Sequence, residues 1–206
     1  MEHLWYASFG SNLLRARFEK YLNGGTPARA TGHPEHGARD SSDPVDQMVL
    51  TVDHEIFFAH SSQKWDGGGV AFLDTAVGTD GSSTRCRAYK ITVEQFEDVY
   101  QQENGADAPV LLDLDGLGRH GVVEQHDGLY GLALLLSTHD DGCPVVTITT
   151  GRTDLELNAP SVGYASTIAQ GLMECMGIAR DEAVDYVLGI RGVDETLRRS
   201  ELIDTL

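Results

Sequence analysis

The sequence has little positive charge, few cysteines and no long hydrophobic run, and each shortage removes a class of protein. Its 206 residues carry 15 Lys and Arg against 32 Asp and Glu, a formal net charge of −17. The acidic residues are spread along the chain instead of being gathered in a tail, so neither a nucleic acid nor an anionic membrane surface is an expected partner. The longest nearly unbroken apolar run, "LYGLALLL" at 129–136, falls far short of the ~20 residues that cross a bilayer, and no transmembrane helix is expected. The opening "MEHLWYASFG" has no basic region ahead of its apolar stretch, so it does not read as a signal peptide, and a cytoplasmic location is expected. Cys86, Cys143 and Cys175 are an odd number at wide spacing, which fits neither a disulfide framework nor a paired-cysteine metal knuckle; buried free thiols are expected.

Metal and nucleophile patterns are equally sparse. "HPEH" brings His33, Glu35 and His36 together in a Gly- and Pro-rich stretch without the helical spacing that makes two histidines a metal clamp, so exposed surface histidines are expected there. "DLDGLGRHG" at 113–121 lacks the alternating ligands and closing Glu of a calcium loop and reads as a surface turn. Ser11 is not framed by the G-x-S-x-G of a nucleophile elbow. No cofactor and no metal are expected.

What is present is a mixed pattern of strands and helices on a chain long enough for a real core. "HLWYASF" reads as a strand, and Leu14, Phe18, Tyr21 and Leu22 then recur at helical spacing. Residues 24–44 show no sustained period and read as a long, functional or mobile loop. Apolar and β-branched runs at 48–52, 55–60, 69–77, 85–91, 121–126, 129–136 and 144–150 predict strands. Helices are predicted from a Thr92/Gln95 capping box to about Glu103, and over 161–176, 180–189 and 194–204. Strands crowd the middle and helices the end, an α+β arrangement. The expected organisation is a main domain over 1–179, its loop extending over about 24–46, and a C-terminal helical extension over 180–206 packed on it.

Two features carry chemistry. In "WYASFGSNLL" a strand breaks at Gly10 and places Ser11 and Asn12 before a helical pattern. A helix start leaves backbone N–H groups without partners, so this turn serves either as an ordinary cap or as a seat for a carboxylate or phosphate, with Gly10 allowing close approach. Glu103 follows Phe96, Val99 and Tyr100 by seven, four and three, which puts a carboxylate on the apolar face at a helix C-terminus. Burial and the negative helix end both disfavour its ionised form, as in a glutamate general acid/base, unless the last turn frays and exposes it.

Four stretches in order give the chain a resemblance to the γ-glutamylcyclotransferase-like superfamily. "FGSNLL" at 9–14 resembles its Tyr-Gly-Ser-Asn-Leu strand end, with Phe9 in place of Tyr. "SQKWDGG" at 62–68 is similar to its Trp-x-Gly-Gly segment, "QQENG" at 101–105 to its Gln-Glu-Gly helix end with Asn104 inserted, and "PSVGY" at 160–164 to its Pro-Ser-x-x-Tyr helix start, Gly171 following. The resemblance implies a small mixed β-barrel with flanking helices, and a cavity where the Gly10–Asn12 turn and Glu103 converge. It implies Glu103 as the catalytic acid/base and Tyr6, Phe9, Gly10, Ser11, Asn12, Trp65, Gly67, Gly68 and Tyr164 around the substrate. The implied reaction, without cofactor, is cyclisation of a γ-glutamyl amine or γ-glutamyl amino acid to 5-oxoproline plus free amine. A non-cyclising amide hydrolase or deacylase and a non-catalytic small-molecule-binding module remain alternatives on the same fold, and the oligomeric state is left open.

Overall fold

Strand β1 (His3–Ser8) is buried on both faces, which is why its sequence is almost continuously apolar. A computed structural model describes residues 2–30, 34–78, 81–107 and 110–206; His33 of "HPEH" lies outside them. β1 pairs antiparallel with β5 (Thr84–Thr92) in a register that sets Tyr6 against Tyr89, and parallel with β8 (Pro144–Thr149). With β2 (Asp46–Val52), β6 (Val122–Glu124) and β7 (Leu132–Thr138) they form a six-stranded mixed sheet in the order β2-β5-β1-β8-β7-β6. The strand alternation splits the core. Trp5 and Ala7 join one hydrophobic cluster, while Leu4 and Tyr6 join the other on the opposite face.

A two-stranded sheet, β3 (His54–Ala59) and β4 (Val70–Val77), packs on the first cluster, and the Thr149 hydroxyl bonds both the N–H and the C=O of Leu73, tying the two sheets together. The expected α+β class and barrel-like layout are present, with β2 and β6 left as edges instead of joining into a closed cylinder.

The helices sit where their apolar stripes require. On α1 (Arg15–Asn23) Phe18, Tyr21 and Leu22 are buried against α2 (Val93–Asn104), which starts at the expected capping box: Gln95 N donates to Thr92 Oγ1 at 3.1 Å and Thr92 N to Gln95 Oε1 at 3.0 Å. The stretch expected as a surface turn contains instead a short helix, α3 (Leu114–His120). Its two glycines hide the pattern, but the Asp113 carboxylate caps the Gly116 N–H at 2.8 Å, and Arg119 and His120 oppose the negative end. α4 (Val162–Met176) is capped by Ser161, and α5 (Arg180–Leu188) and α6 (Arg199–Thr205) place Ala183, Val184, Val187 and Leu202 in the same cluster as Phe58 and Tyr164.

The three thiols are free; Cys86 is buried, whereas Cys143 and Cys175 are only half-buried. Among the described residues no helix is long and apolar enough to cross a membrane.

The described part of the long loop is pinned at several points. Gly25 and Glu35 bridge each other, Ala38 N–H bonds to Leu22 O, and Arg39 donates from its backbone and from Nε to the Asp98 carboxylate, each at 2.8 Å. Glu97, on the same helix face, is buried and accepts from Leu112 N–H at 3.0 Å and from Arg39. It is a structural anchor.

Candidate active site

The end of β1, the turn after it, the end of α2, the segment between β3 and β4, and the first turn of α4 enclose a cavity of about 510 Å³, within the ~300–1,000 Å³ range of small-molecule sites. Tyr6, Phe9, Gly10, Ser11, Asn12, Trp65, Glu103 and Tyr164 all line it. A neighbouring cavity of about 810 Å³ shares Gln63, Lys64 and Gln102 with the first and is walled by residues 34–37 of the long loop.

Ser11 and Asn12 do not cap α1. They begin a single 3₁₀ turn, Ser11–Leu13, and α1 starts after Leu14 with no side-chain cap. The first closed bond is Leu13 N–H to Gly10 O, so the Ser11 and Asn12 N–H groups precede the bonded part of the turn. The Asn12 side chain is used instead to join two elements: Nδ2 donates to Tyr6 Oη at 3.2 Å and to Glu103 Oε1 at 3.1 Å. Asn12 Oδ1 and Ser8 Oγ are buried without a partner among the described residues, and both residues line the cavity. Such groups are costly unless something else bonds them.

Glu103 is half-buried one residue before the end of α2, which closes on Gly105 in the left-handed conformation at φ 58°. Asn104 continues the helix, and its amide bonds both Tyr130 O at 3.0 Å and Tyr130 N–H at 3.1 Å, fixing that aromatic residue at the cavity. Burial, with the charge of Glu103 next in size, pushes the Tyr6 phenol above its ordinary pKa. Burial raises Tyr164 to about 12. Both phenols are therefore neutral hydrogen-bond donors at neutral pH.

Tyr164 Oη accepts the Ala71 N–H at 3.2 Å and also receives the Ser11 N–H, which leaves its own proton free to turn into the cavity. A Cβ on Gly10 would stand 2.9 Å from that oxygen. The glycine thus makes room for Tyr164 first. Trp65 stacks at an angle on the Tyr164 ring with centroids 4.8 Å apart.

Gly67 and Gly68 do not line the cavity. Gly67 turns the chain at φ +79°, and a Cβ on Gly68 would fall 2.2 Å from Ser161 N. They let the segment after Trp65 pack directly on the start of α4. Gly171 does the same deeper in α4, where a Cβ would meet Leu13 C at 2.5 Å. Sequence reading missed Ser8, Lys64, Gln102 and Tyr130 at the cavity and Arg17, Tyr21 and Glu35 behind it. One signal was readable: Arg17 lies four residues before Tyr21, a charge within the apolar stripe of α1. Among the described residues no group of three or more His, Cys, Asp or Glu side chains is arranged to hold a metal ion.

This is the γ-glutamylcyclotransferase-like fold. The chain superposes over its full length on a solved structure named Gamma-glutamyl cyclotransferase, all of which is covered, with TM-score 0.55 and 17% identity. An uncharacterized human protein, loc79017, is matched over 98% of its chain and all of this one, with TM-score 0.55 and 19% identity. In sequence, the chain is 33% identical over 204 residues to Histone deacetylase 5 of Arabidopsis thaliana, an alignment covering 89% of this chain. The chain spans about 30% of the length of that curated relative. No family model matches the sequence.

Proposed function

We propose that the protein cyclises a γ-glutamyl amide to 5-oxoproline, with Glu103 as general acid and base. The observation that carries this reading is the bond from Asn12 Nδ2 to Glu103 Oε1, 3.1 Å, inside a cavity that also holds the Gly10–Asn12 turn and Tyr164. A carboxylate is thereby held at a fixed point beside an unpartnered acceptor, Asn12 Oδ1. An α-ammonium group bonds to both.

Glu103 takes one proton from the substrate's α-ammonium, and the freed amine nitrogen attacks the γ-carbonyl carbon of the same molecule. The carbonyl oxygen gains negative charge, for which the Tyr164 hydroxyl and the Asn12 N–H of the 3₁₀ turn are suited donors. Glu103 passes its proton to the departing nitrogen as collapse breaks the amide C–N bond, and the ring nitrogen, which still carries one proton more than a lactam, gives it to the freed Glu103 carboxylate, which hands it on to the released amine. The five-membered lactam and the free amine are the products. Holding attacker and carbonyl in one cavity supplies the orientation such a ring closure needs. The substituent on the leaving nitrogen extends past Gln63, Lys64 and Gln102 toward the neighbouring cavity.

The test is mass-spectrometric detection of 5-oxoproline after incubation with γ-glutamyl amines, γ-glutamyl amino acids and glutathione, with and without a chelator. The expected result is 5-oxoproline plus free amine, unaffected by chelation. Free glutamate instead of the lactam means hydrolysis, and binding without turnover means a non-catalytic module; either overturns the reading.

A further inference from the structure

Behind Glu103 lies a buried charge network that the proposed reaction does not use directly. Arg17 on α1 is 4% exposed. Its Nη2 donates to Tyr21 Oη at 2.7 Å and to Glu35 Oε1 at 3.0 Å, and its guanidinium lies 4.3 Å from the centre of the Tyr21 ring. Glu35, from the long loop, is itself buried and also pairs with Lys64. Among the described residues Arg17 Nε and Nη1 have no partner. Gln102, next to Glu103, completes the assembly by donating to Tyr21 O at 3.0 Å and accepting the Gly37 N–H at 3.2 Å.

A guanidinium buried this far with two nitrogens unused is a poor stabilising device, because each unmet donor costs desolvation and a buried ion pair seldom repays its own. Its surroundings show what it faces. The negative charges of Glu103 and Glu35 both act on Arg17, and the charge of Glu103 acts as well on the Tyr21 hydroxyl that the guanidinium bonds. Arg17 and Lys64 together balance Glu35 and Glu103.

We infer that Arg17, held by Glu35 of the long loop and linked through the Tyr21 hydroxyl, is a positioning residue for the Glu103 carboxylate. The inference rests on the reading of Glu103 as acid and base. With Glu103 ionised the four charges cancel. When it accepts the proton of the α-ammonium the network holds one excess positive charge in a low-dielectric setting, and delivery of that proton to the leaving nitrogen restores neutrality. The network therefore favours the second transfer while Tyr21 fixes the carboxylate for the first. The long loop gains a definite task, since it supplies the anion that keeps Arg17 in place.

Two variants test this beside Glu103→Gln in the 5-oxoproline assay. Arg17→Met with Glu35→Gln removes both buried charges together, which avoids an orphaned ion, and Tyr21→Phe deletes only the hydroxyl. Each is expected to lower kcat by about tenfold or more with KM within about threefold and the melting temperature little changed, the signature of an interaction used in the chemical step. Glu182→Gln, which removes an exposed carboxylate paired with Arg85 away from the cavity, is expected to leave kcat within about twofold. Wild-type kcat in Tyr21→Phe and in the double variant, or an equal fall in Glu182→Gln, overturns the inference while Glu103→Gln stays impaired. If the double variant does not fold, Tyr21→Phe decides. Undiminished turnover in Glu103→Gln, or no 5-oxoproline from the unaltered protein, removes the reading beneath it instead.

Discussion

The part of the cavity built from the 3₁₀ turn and the end of α2 joins Asn12 to Glu103 and is backed by Arg17, Tyr21 and Glu35, whereas the part built from the β3–β4 segment and α4 presents Trp65 and Tyr164 against close-packed backbone. The first is a polar network with unmet hydrogen-bonding capacity at Asn12 Oδ1 and at two nitrogens of Arg17. The second is an aromatic stack whose one hydroxyl, on Tyr164, is positioned by the Ala71 N–H. Polar groups left unmet point to chemistry, and filled space points to shape. Substitutions in the two parts should therefore fail in different ways: in turnover on the polar side, in stability on the aromatic side.

The largest effect is expected from Glu103→Gln, which keeps shape and removes basicity. Steady-state kinetics should show kcat reduced by at least the ~10²-fold typical of lost general acid/base catalysis, with melting temperature and ligand affinity nearly unchanged. A folded variant with near-normal turnover would break the comparison on its polar side.

Gly10→Ala probes the seam between the two parts. Its Cβ would press on Tyr164 Oη from 2.9 Å, so the ring must shift and KM should rise by about tenfold, or about 1.4 kcal/mol of binding. Adding Tyr164→Phe should restore part of the loss by removing the clashing oxygen. No rescue at all would mean that Gly10 serves the ligand alone.

Gly68→Ala tests the aromatic side. A Cβ there falls 2.2 Å from Ser161 N, which is backbone and cannot step aside. Overpacking of this kind costs about 1–3 kcal/mol, and the melting temperature of a chain this size should drop by roughly 2–4 °C for each of them. Calorimetry checks this, and kcat of the folded fraction should stay close to normal.

The smallest effect is expected away from the cavity, at Asp141. Its carboxylate is held below the ordinary range chiefly by Lys90, 2.8 Å away, and by the Cys143 N–H. Because the folded form favours ionisation, the stability it adds is present above about pH 4, the unfolded carboxylate's range, and is lost as the pH falls through the depressed folded value. Asp141→Asn should lower the melting temperature slightly at pH 7, with the difference shrinking in acid, and should leave turnover untouched.

Glu97, six residues before Glu103, shows where periodicity alone misleads. Its helical position sets it on a different face from Glu103, which marks it as a bystander and a silent control for substitution. The fold buries it as the acceptor for Leu112 N–H and Arg39, so its replacement would cost stability. Neither partner is near it in sequence. An exposed carboxylate far from both cavity parts, such as Glu182 paired with Arg85, is the better control.

Local rules read well wherever neighbours in sequence decide the structure. The apolar run of β1, the capping box of α2 and the apolar stripe of α1 were legible because each is settled within a few residues. α3 was not, since its two glycines argue against a helix that a single aspartate cap and the burial of Leu117 support. The strand expected from residue 129 begins only at Leu132, because Gln125 N–H bonds to Gly131 O and holds the preceding residues in a turn.

By itself the sequence determined an acidic chain of α+β class, the break at Gly10 and a carboxylate riding the apolar stripe of α2 to its end, because composition and period are properties of the chain alone. Only the tertiary structure decided that Asn12 would reach Glu103 across 91 residues, that Glu35 of an unpatterned loop would be buried against Arg17, and that Gly68 would serve backbone packing rather than the cavity. Those outcomes depend on which groups remain unpaired once the sheet and helices have closed, and hydrogen bonding and charge pairing between distant residues leave no period to read.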